Sequence, residues 1–412
     1  MGYIPFIRSN LRFLCFGFFL VFVGNYGQTF FISVFGGELR QAFSLDHTQY
    51  SFYYSLATLI SGFSLMLIGG RLDTSSLRQF TIWVLVGTLA ATLVMATAVS
   101  VWMLFLGFLM IRFCGQGLTG HTAFTSMARY YDANRGKAIS TAAMGMPVGE
   151  LILPLAAAAS IAAFGWRETW LILAALLVCI FVPVILWSLG DAPVRQPIEQ
   201  ASASASPSQD KTPEGQSIHW TRGQVIKDQQ FWFALLAILA PAAIITGVFF
   251  HQVFWAESRG WSLAALASSM VLYGVTHALG SLFTGTLVDR LGAFKVLRFY
   301  LLPLFLATVC LLSNSFIGWL AFMFLAGFSV GASGPVIGSL WPEVYGTRHL
   351  GAIRSLVSAI MVLSTAITPI ALGIMIDQQI SIRLIMMILM TYAFVAWMIC
   401  QWIYRRNPLL GN

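Results

Sequence analysis

The sequence predicts an all-α integral membrane protein with twelve transmembrane helices in two six-helix bundles. Three observations carry that expectation. Of 412 residues, 58% are hydrophobic and only 9% are charged, against roughly 25% charged in a typical soluble domain. So few charges cannot cover the surface of the soluble domains this length would make, so lipid must solvate much of the exterior. A membrane span needs about 20 predominantly apolar residues, and twelve stretches satisfy that rule. Finally, Gly69-Gly70-Arg71-Leu72-Asp73 closes one apolar stretch and Gly285-Thr286-Leu287-Val288-Asp289-Arg290-Leu291-Gly292 closes another. Glycine and aspartate both recur at an offset of 216, which implies two homologous halves.

The expected spans lie near 11–36, 50–70, 79–100, 102–127, 137–163 and 167–189 in the first half, and near 230–256, 263–286, 294–314, 316–340, 351–375 and 382–404 in the second. Polar or turn-forming runs separate them. Ser44-Leu45-Asp46-His47 ends the first, Thr74-Ser75-Ser76 the second, Asp132-Ala133-Asn134-Arg135 the fourth and Ser313-Asn314-Ser315 the ninth. Arg8 and Arg12 precede the first span, and no small-residue cleavage site follows it, so it reads as an uncleaved helix and not a signal peptide. Gly136 and Gly351 begin the fifth and eleventh spans and Pro154 and Pro369 are expected to interrupt them, each pair offset by 215. The polar stretch from Asp191 to Gln229 contains Ala201-Ser202-Ala203-Ser204-Ala205-Ser206-Pro207 and reads as a flexible cytoplasmic linker. The domains expected are therefore 1–190, a linker over 191–229, and 230–412.

Basic residues set the orientation. With both termini cytoplasmic, eighteen of the 23 lysines and arginines fall in inside segments, Arg40, Arg167, Arg259 and Arg383 fall outside, and Arg112 alone lies within a span. The same distribution argues against nucleic acid despite the net charge of +8, because the charge is divided among short segments and forms no stripe. The five cysteines are dispersed singly, which argues against a metal centre or a disulfide framework. No cofactor is expected. A P-loop, nucleophile elbow or metal cluster is not found, so an enzyme or ATP-driven pump is not expected.

These residues resemble the major facilitator superfamily of secondary transporters over essentially the whole chain. Gly285-x-Leu287-x-Asp289-Arg290-x-Gly292 looks like a full copy of that family's loop motif, and the first-half copy keeps Gly69 and Asp73 with Thr74 where a basic residue is usual. Arg112 followed by Gly115-Gln116-Gly117 and Gly120 looks like the family's fourth-helix pattern. Arg135-Gly136 and Gly165-Trp166-Arg167 are similar to its fifth-helix ends. Gly260-Trp261-Ser262 weakly resembles the branch of monocarboxylate and oxalate–formate carriers. Where monocarboxylate carriers are expected to hold an Asp–Arg pair in the eighth helix, this chain has His277. The resemblance implies that Asp73, Asp289 and Arg290 hold an inward gate shut.

Ionisable groups at membrane depth are costly and point to function. Arg112 lies ten residues below Trp102 and Glu150 12–14 residues from the outer end of its helix, about 15 Å and about 18–21 Å deep at 1.5 Å per residue. Neighbouring antiparallel helices would then let the two charges pair. The pair reads either as a permanent lock between helices or as a proton switch, in which protonating Glu150 frees Arg112 for an anionic substrate. The second half has no counterpart to the pair, which favours function. His277, near mid-depth, is a candidate proton or substrate ligand. Asn25, Tyr26 and Gln28 put polar groups at mid-depth in the first helix, where a water-filled cavity would satisfy them. His121 and His251 read as gate or interface residues.

The function expected is secondary active transport of a small organic anion across the inner membrane by alternating access. It is proton-coupled through Glu150 and His277, with Arg112, Asn25, Tyr26, Gln28 and His277 at the substrate. The partners expected are that small molecule, H⁺ and the lipid bilayer, and the carrier is expected to be a monomer. The alternative is a proton-driven exporter of amphipathic compounds with a largely apolar cavity.

Overall fold

The computed structural model describes residues 3–131, 134–190, 220–346 and 348–403, without the side chains of residues 3, 4, 73 and 74. Among the described residues, twelve helices are long and apolar enough to cross a membrane: Pro5–Gly27, His47–Ile68, Leu77–Thr97, Val101–Tyr130, Arg135–Phe164 and Trp166–Leu189, then Gln229–Phe250, Leu263–Leu291, Ala293–Cys310, Phe316–Tyr345, Leu350–Asp377 and Ile382–Trp402. With an even number of crossings, the first helix starts and the twelfth ends on one side, here the terminal face. The opposite side is the far face. Leu67, Trp83 and Ile317 stand exposed on the outside of the spans, as lipid-facing residues should.

The first span departs from the single helix expected over 11–36. Its helix begins at Tyr3, gives way to a 3-10 turn over Asn25–Gly27 and breaks at Gln28, whose backbone is extended (φ −77°, ψ 148°). It resumes as the short helices Thr29–Ile32 and Gly36–Phe43. The physical cause is a close approach to the fourth helix. A methyl group on Gly27 would run into the Ile111 carbonyl oxygen and lie 3.0 Å from Gln116 Cβ. Opposite this contact the fourth helix widens into π-type turns over Ile111–Leu118, a distortion frequent at functional sites. Pro154 and Pro369, expected to interrupt their helices, are instead carried inside continuous ones, since neighbours and local adjustment can re-satisfy the freed backbone groups within a membrane bundle.

Two cross-half helix contacts position the site, and both rest on glycine. The fifth helix crosses the eighth at Gly274, where an added Cβ would lie 2.8 Å from the Pro147 carbonyl oxygen and 3.4 Å from Glu150 Cβ. The second helix packs along the eleventh, with Gly62 against Val362 and Gly373 against the His47 carbonyl. Small residues allow such backbone approach in lipid. In the second-half loop motif, Gly292 takes the positive φ of 82° that ends the eighth helix. Both Glu343 carboxylate oxygens then accept from the Ala293 amide, at 3.0 and 3.1 Å, placing an anion at the start of the ninth helix as its dipole favours. Residues 191–219 of the expected linker, and Asp132 and Ala133 of the expected fourth break, lie outside the described residues. At the linker's end the Trp220 amide donates to the Tyr345 carbonyl, and the Tyr345 hydroxyl donates to Asp228 (2.7 Å).

Candidate functional site

Glu150 is 2% exposed, and a carboxylate so deeply buried needs a partner. That partner is His277. The histidine Nδ1 donates to Glu150 Oε2 at 2.7 Å, joining the fifth helix of one half to the eighth of the other. Gly274, one turn from His277, permits the approach. Tyr273 packs its ring 6.0 Å from the imidazole. Two residues expected on sequence grounds to handle protons are thus brought into direct contact.

The expected pairing of Arg112 with Glu150 is not formed. Arg112 is 7% exposed, and its Nη1 donates to the Gly27 carbonyl at 3.0 Å while its guanidinium lies 5.3 Å from the centre of the Tyr54 ring. The break at Gln28 strips Gly27 of its helical partner, and the guanidinium takes the freed carbonyl. Equal depth did not bring the charges together, because Arg112 faces the first helix whereas Glu150 faces the eighth. Among the described residues Arg112 therefore has no carboxylate partner, and its Nε has no hydrogen-bond partner.

Asn25 and Tyr26, expected beside a water-filled cavity, are closed into the packing. Asn25 Nδ2 donates to the carbonyls of Phe22 (3.0 Å) and Gly145 (3.1 Å), a link from the first helix to the fifth. Gly149 is bare so that the amide can fit there. The buried Tyr26 ring stacks on Phe31. Gln28, in contrast, is only partly buried and borders open space inside the bundle.

A cavity of about 330 Å³ lies between the halves at this level. Gln28, Thr29, Gln116, Met146 and Glu150 line it from the first half, and Thr246, Tyr273 and Ser333 supply polar groups from the second. The remaining wall is apolar, including Phe30, Ile238, Ile245, Phe249, Ile337 and Met361. Arg112 stands one helical turn above Gln116, behind the Gly27 carbonyl. A second chamber of about 340 Å³ shares Gln28, Gln116 and Met146 and runs down the fourth helix past Gly120, His121 and Phe124. His121 Nε2 donates there to the Gly69 carbonyl at 3.0 Å.

The far face is sealed by contacts between the halves. Gln252 Nε2 donates to the Phe30 carbonyl (3.0 Å) and to Ser33 Oγ (2.7 Å). The amides of His47 and Thr48, at the start of the second helix, donate to the Asp377 carboxylate at 3.2 and 2.7 Å. Tyr50 and Tyr54 pack on Phe250, and Arg40 approaches Glu257 at 3.9 Å. His251, just past the seventh helix, donates to the Pro369 carbonyl at 2.9 Å, and its ring also lies near Ser51 Oγ. Burial pushes it down to about 3, so it is neutral in this seal. A shallow groove of about 520 Å³ lies outside it, beside Arg40 and Glu257.

At the terminal end of the eighth helix, Asp289 and Arg290 are exposed and have no hydrogen-bond or ion-pair partner among the described residues. Among the described residues, then, they make no contact of the kind the expected inward gate would use. Asp73, the third expected gate residue, has its side chain outside the described residues. Sequence reasoning missed Gln252 and Asp377 in the far-face seal and Glu343 in the loop motif. It met Gln116 only as part of a glycine-rich pattern. The available signal there was spacing, since Arg112 and Gln116 are four apart and share a helix face.

Comparison with known proteins agrees with this architecture. The family model described as Major Facilitator Superfamily matches residues 14–271 and 245–411. A solved structure of a bacterial homologue of the human lysosomal transporter Spinster, in an inward-facing and occupied conformation, superposes with a TM-score of 0.68. The superposition covers 98% of this chain and 97% of that one at 15% identity, which speaks to the fold alone. No curated protein sequence matches the chain.

Proposed function

The chain belongs to the major facilitator superfamily of secondary transporters, and from that premise we propose that it carries a small organic anion coupled to protons. The family makes it an integral, multi-pass transporter and not an enzyme. The single observation that carries the coupling proposal is the Glu150–His277 contact, which ties the two halves together at the wall of the central cavity.

That contact can exist in two charge states. With the carboxyl protonated and the imidazole neutral the contact is uncharged, whereas removal of that proton leaves a net negative charge in a site of low dielectric. Burial favours the neutral state. Proton binding and the separation of the halves are therefore linked through one hydrogen bond, and rocking about the fifth and eighth helices carries the proton with the cargo. Arg112 supports the anion class, because among the described residues its partners are a carbonyl and a ring, and a buried guanidinium so placed attracts a carboxylate. Gln28, at the cavity wall, presents an amide to the same cargo. Asn25 and Tyr26 hold the first helix in place for it. Asp73, Asp289 and Arg290 would close the terminal face in the opposite state.

The domain division proposed is 1–190 and 230–412 about the linker. Both termini are assigned to the cytoplasm of a bacterial inner membrane, on the asymmetry of basic residues. The carrier is proposed to act as a monomer.

A second reading is favoured by the apolar wall of the cavity: an exporter of amphipathic compounds in which Arg112 only braces the broken helix. Proteoliposomes with an imposed pH gradient, tested against small carboxylates, amphipathic cations and sugars, separate the two. Accumulation of carboxylates alone is expected. Movement of amphipathic cations without carboxylates would replace the anion reading with the second one.

A further inference from the structure

We infer that Gln28, Gln116 and Met146 form a neck through which cargo passes between the central cavity and the chamber toward the terminal face, and that the two carboxamides select what passes. The inference rests on the transport reading for its cargo but not for its geometry.

Three independent features converge on it. The same three residues, and no others, border both spaces. The side-chain amides of Gln28 and Gln116 have no hydrogen-bond partner among the described residues, although both are partly buried in a membrane bundle where unpaired amides are costly. The backbone is also distorted on both sides to bring them there. The extended Gln28 breaks the first helix, and Gln116 lies within the widened turns of the fourth. The bare Gly27 lets the two helices approach so closely that an added Cβ there would lie 3.0 Å from Gln116 Cβ.

Each carboxamide offers two N–H donors and a carbonyl acceptor. A cargo carboxylate leaving the central cavity would be received by amide donors that hold it without the full desolvation cost of a second charge. The Met146 thioether is flexible and apolar, and yields to the cargo's body. Chambers near 330 and 340 Å³ lie at the lower end of the usual range for ligand pockets, which restricts the cargo to a compact molecule with one polar head.

The passage can be tested without knowing the cargo. In a background with the five native cysteines replaced, Ser333→Cys reports on the central cavity and Gly120→Cys on the second chamber, where an added Cβ meets only Phe124 at 3.9 Å. The probe is an anionic sulfonatoethyl methanethiosulfonate applied from the terminal face. Gln116→Trp, and separately Met146→Trp, are expected to slow labelling of Ser333→Cys at least tenfold and leave Gly120→Cys unchanged. Unchanged labelling of Ser333→Cys in both variants would overturn the neck. Slowed labelling at Gly120→Cys as well would mean a general collapse and would also count against it. The selection claim is read separately, on a panel of formate, acetate, lactate and succinate. Gln28→Leu and Gln116→Leu are expected to change the order of relative uptake rates. An unchanged order refutes selection, whereas a wild type that carries none of the four refutes the anion reading and leaves the labelling result standing.

Discussion

Replacing Glu150 with glutamine is expected to abolish accumulation driven by a pH gradient while leaving cargo exchange close to the wild-type rate. Glutamine has nearly the volume of glutamate and its carbonyl still accepts from His277, so the link between the fifth and eighth helices survives. What it loses is the ability to bind and release a proton. Net accumulation requires the proton to leave on one side of the membrane and return from the other, whereas exchange needs only the loaded carrier to rock. Uptake against a gradient should therefore fall to the level of empty liposomes, with counterflow within about twofold of wild type on the scale of a neutral hydrogen bond retained. Wild-type proton dependence in Glu150→Gln would remove this residue from the coupling role. His277→Gln should behave similarly, because the carboxyl would then lose the imidazole that exchanges its proton.

Arg112→Lys separates the two cargo readings most sharply. Lysine keeps the charge but loses the planar fork that reaches a carboxylate while still holding the Gly27 carbonyl. A hydrogen bond to a charged group contributes about 1.5–3 kcal/mol, so carboxylate transport should fall roughly 10- to 150-fold. The effect should appear as a raised half-saturation concentration, with the protein still folded and still inserted. An amphipathic exporter would tolerate the change, since its apolar wall makes no use of the fork. Wild-type carboxylate transport by Arg112→Lys would leave Arg112 as a brace for the helix break and nothing more.

Much of this architecture is legible in residue order, and the limits are instructive. Twelve spans and two halves follow from charge scarcity and from a motif repeated at Gly69 and Gly285, because lipid allows few alternatives for apolar stretches of that length. Depth along a helix is also readable, and it placed Glu150, His277 and Arg112 near the middle. Direction around the helix axis is not fixed by depth. Arg112 and Glu150 were expected to meet because they are equally deep, yet one looks toward the first helix and the other toward the eighth. The break at Gln28 lies between two apolar runs that read together as one span. Gly24, Asn25 and Gly27 marked it, but only the close approach to Ile111 and Gln116 makes the local preference decisive. The far-face seal lay beyond sequence reasoning, because Thr48 and Asp377 meet only when the two halves pack.

Infrared difference spectroscopy on the reconstituted protein, taken between alkaline and acid pH, reads the protonation of the buried carboxyl directly. A carboxylic-acid carbonyl band is expected to grow in wild type on acidification, to shift when His277 is replaced, and to be missing from Glu150→Gln. A wild-type spectrum without that band, or one that persists unchanged in Glu150→Gln, would contradict proton coupling through the Glu150–His277 contact.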